Sequence, residues 1–391
     1  MESGDTGGVA RGPNAEAQSA QYGMDETAPD SGQEEIEELA GADLSGRDFS
    51  GWDLSGRDLS GANLSGAKLG KANLTRATLS KANLEKADLQ GANLTTATLA
   101  GANLQHADLR GACLEQADLE GADLRAAKLA NARLSEANLT KASLERADLV
   151  GATFELAVLN DACLIGVSAP GAVFIDSQVK KANFSRSNLK GANFHSAVLK
   201  EALLIEANLE ECDFNDATVE KLIFAGANLK DSRLPNGNFV LCDFSNASLQ
   251  GADLTAAKAE RCSFYGSDLQ NITAPDSSFE FSDLRSARLA GAKLIRASLV
   301  GVDAASAHFD ATDLRESDLY WTELTPELLS RCRTDHARWP EENKAVYGPK
   351  DAHPPTVQPK PLYVTALTES ERRSRAQERP NKSQSHGPTR S

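Results

Sequence analysis

Large, distinctive side chains are scarce in this chain. It has two methionines, three tryptophans and five tyrosines in 391 residues. A globular core of that size draws on a wider set of bulky apolar residues, so an ordinary two- or three-domain protein is a poor fit. Basic excess is also lacking. The formal net charge is −15, and a protein that grips phosphates needs surplus Lys and Arg, so direct nucleic-acid binding is not expected. No apolar run approaches the roughly 20 residues that a membrane helix requires. The first residues have neither a basic leader nor an apolar stretch after it. These absences point to a cytoplasmic protein without a membrane span, although export by a non-classical route stays open.

The six cysteines, Cys113, Cys163, Cys212, Cys242, Cys262 and Cys332, include no CxxC pair. They read as small, reduced side chains. Phosphate-binding loops, nucleophile elbows, HExxH helices and dinucleotide fingerprints are all missing. Of the six histidines, His106, His195 and His308 fall at unrelated phases of the repeat described next and cannot share a metal. The sequence therefore calls for no catalytic residue, no metal and no cofactor.

What the chain has in abundance is a period of five. From Leu44 to Leu324 every fifth residue can be read in one unbroken register of 57 positions: 39 Leu, 12 Phe, two Val and four Ala. Two residues before each of these centres, 37 of 57 positions are Ala. The residue between is often Asp or Asn, as in Ala62-Asn63-Leu64-Ser65-Gly66. Five fits neither a helix nor a plain strand. It does fit a short flat wall that turns two side chains inward and one outward, with two further residues making a corner. Phe154, Phe174, Phe194 and Phe214 recur at twenty, as do Phe224, Phe244 and Phe264. That spacing stacks the rings if four walls close one coil; three walls would scatter them. Fifty-seven repeats then make about 14 coils and a rod of roughly 65–70 Å at one strand spacing per coil.

The motif resembles that of the pentapeptide-repeat family, summarised as A(D/N)LXX, over residues 41–325. The resemblance implies an all-β fold, a right-handed quadrilateral β-helix. The irregular places suggest how it ends. Arg47, Trp52 and Arg57 stand where small residues are expected, and are too large for a narrow interior. Residues 33–40, with Ile36 and Leu39, suit a short N-terminal cap. Thr325-Pro326 reads as a helix start, giving a helix over 326–334 within a C-terminal cap at 326–347, with Trp321 and Trp339 near it. Pro170, Pro235 and Pro275 fall at corners. Residues 1–32, strongly acidic, and 348–391, Pro-rich and basic, lack periodicity and read as disordered. Arg372, Arg373 and Arg375 in that tail could tether it to an acidic partner or to the rod itself.

Apolar residues in outward-facing register suggest a contact surface. Leu203 stacks beside Ile223 at a position otherwise Asp or Asn, Ile205 lies one corner away, and Leu222 replaces a small residue. Leu241 and Phe281 share a corner column. Together they suggest an apolar docking strip over 200–285. The functional expectation is a non-catalytic scaffold or rigid spacer that offers a solenoid wall to a protein partner of unknown identity, as monomer or end-to-end dimer. The resemblance adds two alternatives: a DNA mimic that binds and protects a type II topoisomerase (gyrase), and a secretion-associated or delivered bacterial protein.

Overall fold

In the computed structural model the described residues are 38–322, 324–338, Ser374 and Gln377. The expected acidic N-terminal segment, Ile36, Trp339 and most of the C-terminal tail lie outside them.

The chain from 38 to 338 winds as a right-handed quadrilateral β-helix. Five-residue walls pair in parallel with the walls twenty residues on, from Asp43↔Asn63 to Asp318↔Arg338. Walls are so short that most register as single bridges. Three successive coils extend far enough to count as strands, β1 (Val198–Lys200), β2 (Thr218–Glu220) and β3 (Asn238–Val240), in parallel with Leu199↔Val219 and Val219↔Phe239 in register.

The reason the repeat takes this path is visible in one wall, Ala82 to Lys86. Every backbone N–H in it has an acceptor, as buried or half-buried amides require. Ala82 donates to the carbonyl of Leu79 across the corner (3.0 Å), Asn83 to Ala62 in the preceding coil (2.9 Å), and Leu84 and Lys86 to Asn103 and Gln105 in the following coil (2.6 and 2.9 Å). The fifth N–H, of Glu85, points away from both neighbouring coils and is accepted by the Asn83 side chain at 3.2 Å. That last bond explains the Asp or Asn of the motif: it is the residue whose short side chain reaches the amide two places on. The spare amide group of Asn83 then donates to Asn63 (3.1 Å), and that of Asn103 to Asn83 (3.0 Å), building a ladder up the wall.

Corners are tight turns whose third residue has φ near +60°, for instance Gly61 (+66°) and Lys71 (+57°). Positive φ at that position alone is the type II pattern, which accepts proline just before it. Pro170, Pro235 and Pro275 occupy that place, each followed by a left-handed residue, Gly171, Asn236 or Asp276. They are corners, as the sequence suggested.

Inside, Ala and Leu or Phe fill the section at or near zero exposure along the length. The aromatic ladders form as the twenty-residue spacing requires. Phe154, Phe174, Phe194 and Phe214 stack with centroids 4.7–5.0 Å apart and planes within 5°. Phe224, Phe244 and Phe264 stack at 4.6 and 4.9 Å. Where the two ladders pass, Phe214 meets Phe224 edge-on at 6.1 Å. Gly237 sits in the small-residue place because the Phe239 ring occupies the space a β-carbon would need.

The ends differ in detail from the sequence reading. Arg47 and Arg57 are exposed, while Trp52 sets its ring edge against Phe49 at 5.2 Å. Leu39 is already buried, so the inward register begins one step before Leu44. At the other end the helix, α1, spans Pro326–Leu329, shorter than the expected 326–334. Thr325 caps it through its hydroxyl, which accepts the Leu328 N–H at 3.3 Å. The reason it stops is that the open edge of the last coil still needs partners. Leu314 and Leu319 donate to the carbonyls of Arg333 and Arg338 (2.7 and 2.8 Å), so 331–338 resumes the coil in place of a longer helix.

Because Phe194 touches rings above and below, Phe194→Ala should destabilise by about 3–5 kcal/mol. Hydrogen exchange should accelerate first in the coils that carry Phe174 and Phe214, since a repeat protein opens locally. Uniform acceleration over the whole chain, or none, would contradict this.

Candidate interaction surface

The interior of the described coil is occupied by the protein's own side chains, so what the coil offers a partner is its outer walls. Each wall shows one outward residue at the Asp/Asn place and two at the corner. Their chemistry is set first by the coil. Asp43, Asp48, Asp53 and Asp58 each accept the amide two residues on, at 2.9–3.2 Å. Hydrogen bonding from the side chains of Ser45, Ser50, Ser55 and Ser60, and then from those amides, holds their carboxyls below the usual range.

Further along, carboxylates meet cations one coil away. Arg296 holds Asp276 in a two-pronged pair at 2.6 and 2.7 Å. Lys190 reaches Glu210 at 3.2 Å and Arg186 reaches Glu206 at 3.0 Å. Lys230, in the same column as Lys190, turns instead to Asp231 at 3.8 Å. Arg288 faces Asp268 and Arg338 faces Asp318 across coils, at 3.4 and 3.1 Å. Asp108 is gripped by Arg110 (2.7 Å) within its own wall and approached by Lys128 (3.8 Å) from the next. Part of the acidity of the outer surface is thus matched by cations in the same wall or one coil away.

All six thiols are free. Burial pushes Cys212 up to about 12, and burial together with Asp310 pushes Cys332 up to about 11. For Cys113, burial acts upward but is outweighed by hydrogen bonds with Thr95 and Arg133, so its thiol is lowered. His106, His195 and His308 stand on separate walls or corners, and no cluster of three metal-ligating residues occurs among the described residues. No helix among them is long and apolar enough to cross a membrane.

The apolar strip over 200–285 needs correction. Leu222 faces inward and is fully buried. Ile205 and Ile223 are buried with Ala225 in one small cluster, and Leu203 packs against it. Leu241 and Phe281 are half-buried at their corners. The Phe281 ring packs against Gly301, where a β-carbon would come within 2.6 Å of it. None of them is exposed, so they do not form a free apolar face. The coil spacing contributes, since Leu203 and Ile223 pair twenty residues apart in one column and pack in the same cluster. Among the described residues, the large apolar ones that do stand open are Leu156 (57% exposed), Tyr265 (40%) and Val150 (38%). Leu156 occupies a corner at φ +58°, a place that favours Gly or Asn. An exposed leucine in that conformation was legible in the sequence as an apolar residue at a corner. Half-buried Val173 and Ile175 lie beside it in the next coil, where Ile175 accepts the Leu156 N–H at 3.0 Å.

Comparison with known proteins bears on the whole coil. The model of the family described as "Pentapeptide repeats" matches in eight copies, over residues 38–76, 58–95, 77–116, 117–155, 223–258 and 262–299. A second, "Pentapeptide repeat region", matches 137–214. No curated protein matches. Among solved structures the chain is similar to HetL from the cyanobacterium Nostoc sp. strain PCC 7120, a protein involved in regulating heterocyst differentiation. That match has 28% identity, covers 64% of this chain and 90% of that one, and has a TM-score of 0.29. It is also similar to QnrB1, a plasmid-mediated fluoroquinolone resistance protein, at 13% identity, covering 47% and 96%, with a TM-score of 0.33. A third is a pentapeptide repeat protein of the Arabidopsis thaliana thylakoid lumen, at 32% identity, covering 29% and 66%, with a TM-score of 0.13.

The paired carboxylates make a prediction about acid. Hydrogen bonds and charge from Arg110, Arg296 and Arg315 hold Asp108, Asp276 and Asp313 below the ordinary carboxylate value. A depressed folded value means the stabilisation is complete above the unfolded value, about 3.9, and is lost as pH falls through the depressed one. Thermal melts should therefore be level from about pH 7 to 5 and fall below about pH 4. A midpoint that rises on acidification would contradict the pairing.

Proposed function

This chain belongs to the pentapeptide repeat proteins, and from that membership we propose that it is a non-catalytic scaffold whose coil walls present a rigid surface to a protein partner. The observation that carries the reading is the filled interior. Leu, Phe and Ala occupy the section at near-zero exposure from one end of the coil to the other, whereas small-molecule sites are concave pockets of some hundreds of Å³ with convergent polar groups. A protein contacts its partners over broad surfaces, and a straight wall of stacked outward residues supplies one.

Leu156 is the residue we assign to that contact. An exposed leucine at positive φ serves neither the core nor the corner, and its neighbours Val173 and Ile175 extend the apolar character over two coils. A few such anchors carry most of the energy of a typical protein interface. The cross-coil ion pairs weigh against the alternative of a DNA mimic, which needs carboxylates left unneutralised in order to imitate phosphates.

The test is capture by the immobilised full chain, identification of what is held, and a binding titration with that protein purified. Leu156→Asp should leave the melting curve intact and weaken binding at least about tenfold, the equivalent of about 1.4 kcal/mol. Unchanged affinity would remove Leu156 from the surface. Protection of gyrase from a fluoroquinolone in a supercoiling assay would replace the scaffold reading with DNA mimicry.

A further inference from the structure

The coil formed by residues 67–86 differs in charge from the coils on either side. It has five basic residues, Lys68, Lys71, Arg76, Lys81 and Lys86, against one acid, Glu85. The coil before it, 47–66, has two arginines against three aspartates, and the coil after it, 87–106, has Asp88 as its one formal charge. Four of the five cations stand one to a corner, so that Lys71, Arg76, Lys81 and Lys86 ring the rod. All four are exposed, with φ between +57° and +60°.

Neither the corner nor the stacking of coils accounts for them. A left-handed corner favours glycine and gains nothing from a long basic side chain. Elsewhere a corner cation meets an acid twenty residues away: Lys181 meets Glu201 at 3.8 Å, Arg186 meets Glu206 at 3.0 Å, and Arg296 meets Asp276 at 2.6 Å. On this ring the place one coil before each cation is a glycine, Gly51, Gly56, Gly61 or Gly66, and no acid stands one coil after. Among the described residues the ion pairs of this coil are Lys68 with Asp48 (3.4 Å) and Lys86 with Glu85 (2.8 Å), which leaves Lys71, Arg76 and Lys81 without one.

The same four glycines make a shelf under the ring. A β-carbon placed on any of them would meet nothing within 4 Å, so the space beside the backbone is open there, and bare backbone lets another chain approach closely. At one corner the opening includes Ser55, Gly56, Thr75 and Arg76. A cation at every corner faces four ways. A flat partner surface meets two of them, whereas a chain that bends round the rod along the shelf meets all four. The matching ligand is also short, because a long polyanion would run past the ring onto coils without basic excess, and a nucleic acid needs that excess along its path.

We propose that the ring of Lys71, Arg76, Lys81 and Lys86 captures an acidic, extended peptide segment of a partner protein, laid along the glycine shelf with its carboxylates on successive corners. This goes beyond the contact assigned to Leu156 and does not need it.

The test uses the full chain and a fluorescein-labelled oligoglutamate peptide, followed by anisotropy at low salt. The wild type should bind it, and binding should weaken as salt is raised. Lys71→Gly, Arg76→Gly, Lys81→Gly and Lys86→Gly together give this turn the corners that the preceding coil already has. That variant should melt no lower than the wild type, while its peptide affinity falls at least about tenfold. A second variant, with glutamine at the same four places, should show the same loss. Lys181→Gly with Arg186→Gly, which removes two cations that have partners, should show none, and Leu156→Asp should leave the peptide affinity unchanged, so the two contacts are tested separately. Unchanged affinity in both ring variants, an equal loss in either control, or no binding by the wild type would overturn the proposal. Tighter binding of an oligonucleotide of equal charge would overturn it too, by assigning the ring to nucleic acid.

Discussion

Everything in this molecule depends on how five backbone amides per wall are satisfied. Three bond to neighbouring coils, one closes the corner, and one is taken by the Asp or Asn side chain two residues before it, as the wall from Ala82 to Lys86 shows. Such a scheme has no slack. A wall cannot lengthen without displacing the twenty-residue stacking, and the pairing runs without a break in phase from Asp43 to Arg338. The same scheme leaves each coil edge needing a partner, which is why 331–338 returns to the coil after the single turn of α1.

The constraint also governs the surface. Aspartate at the outward place is first a structural acceptor and only then a charge. At several places an arginine or lysine within the wall or one coil away matches it, as Arg296 does for Asp276. Net acidity is therefore a weak guide to the partner, and the informative positions are those that break the pattern without serving the coil. Leu156 is one.

Much of the fold was legible because it is local and repeated. The inward register, the four-walled section and the stacking of Phe154, Phe174, Phe194 and Phe214 all follow from spacings of five and twenty. The prolines at 170, 235 and 275 follow from turn chemistry. What misled was burial at outward places. Periodicity says which way a side chain points, and by that rule Ile205 and Ile223 face out. It does not say what lies over them, since cover from a column neighbour or from residues distant in sequence leaves no trace in the period. Leu222 failed for a different reason: a large residue in a small-residue place can still enter the core when its surroundings allow it. The length of α1 was misjudged because Leu328, Leu329 and Cys332 share a helical spacing that the unpaired edge of the last coil overrides.

The central claim is that residues twenty apart sit directly over one another, and paired cysteines test it most directly. Parallel neighbours at one strand spacing, about 4.8 Å, fall within the Cα separation a disulfide accepts. Asn73 and Asn93 are such a pair, half-buried and exposed respectively. With both changed to cysteine, mild oxidation should join 73 to 93 rapidly and in high yield. With Asn73 and Asp88 changed instead, fifteen residues apart as three-walled coiling would require, little should form. A bond between 73 and 88 in place of 73 and 93 would contradict the four-walled coil and all that rests on it.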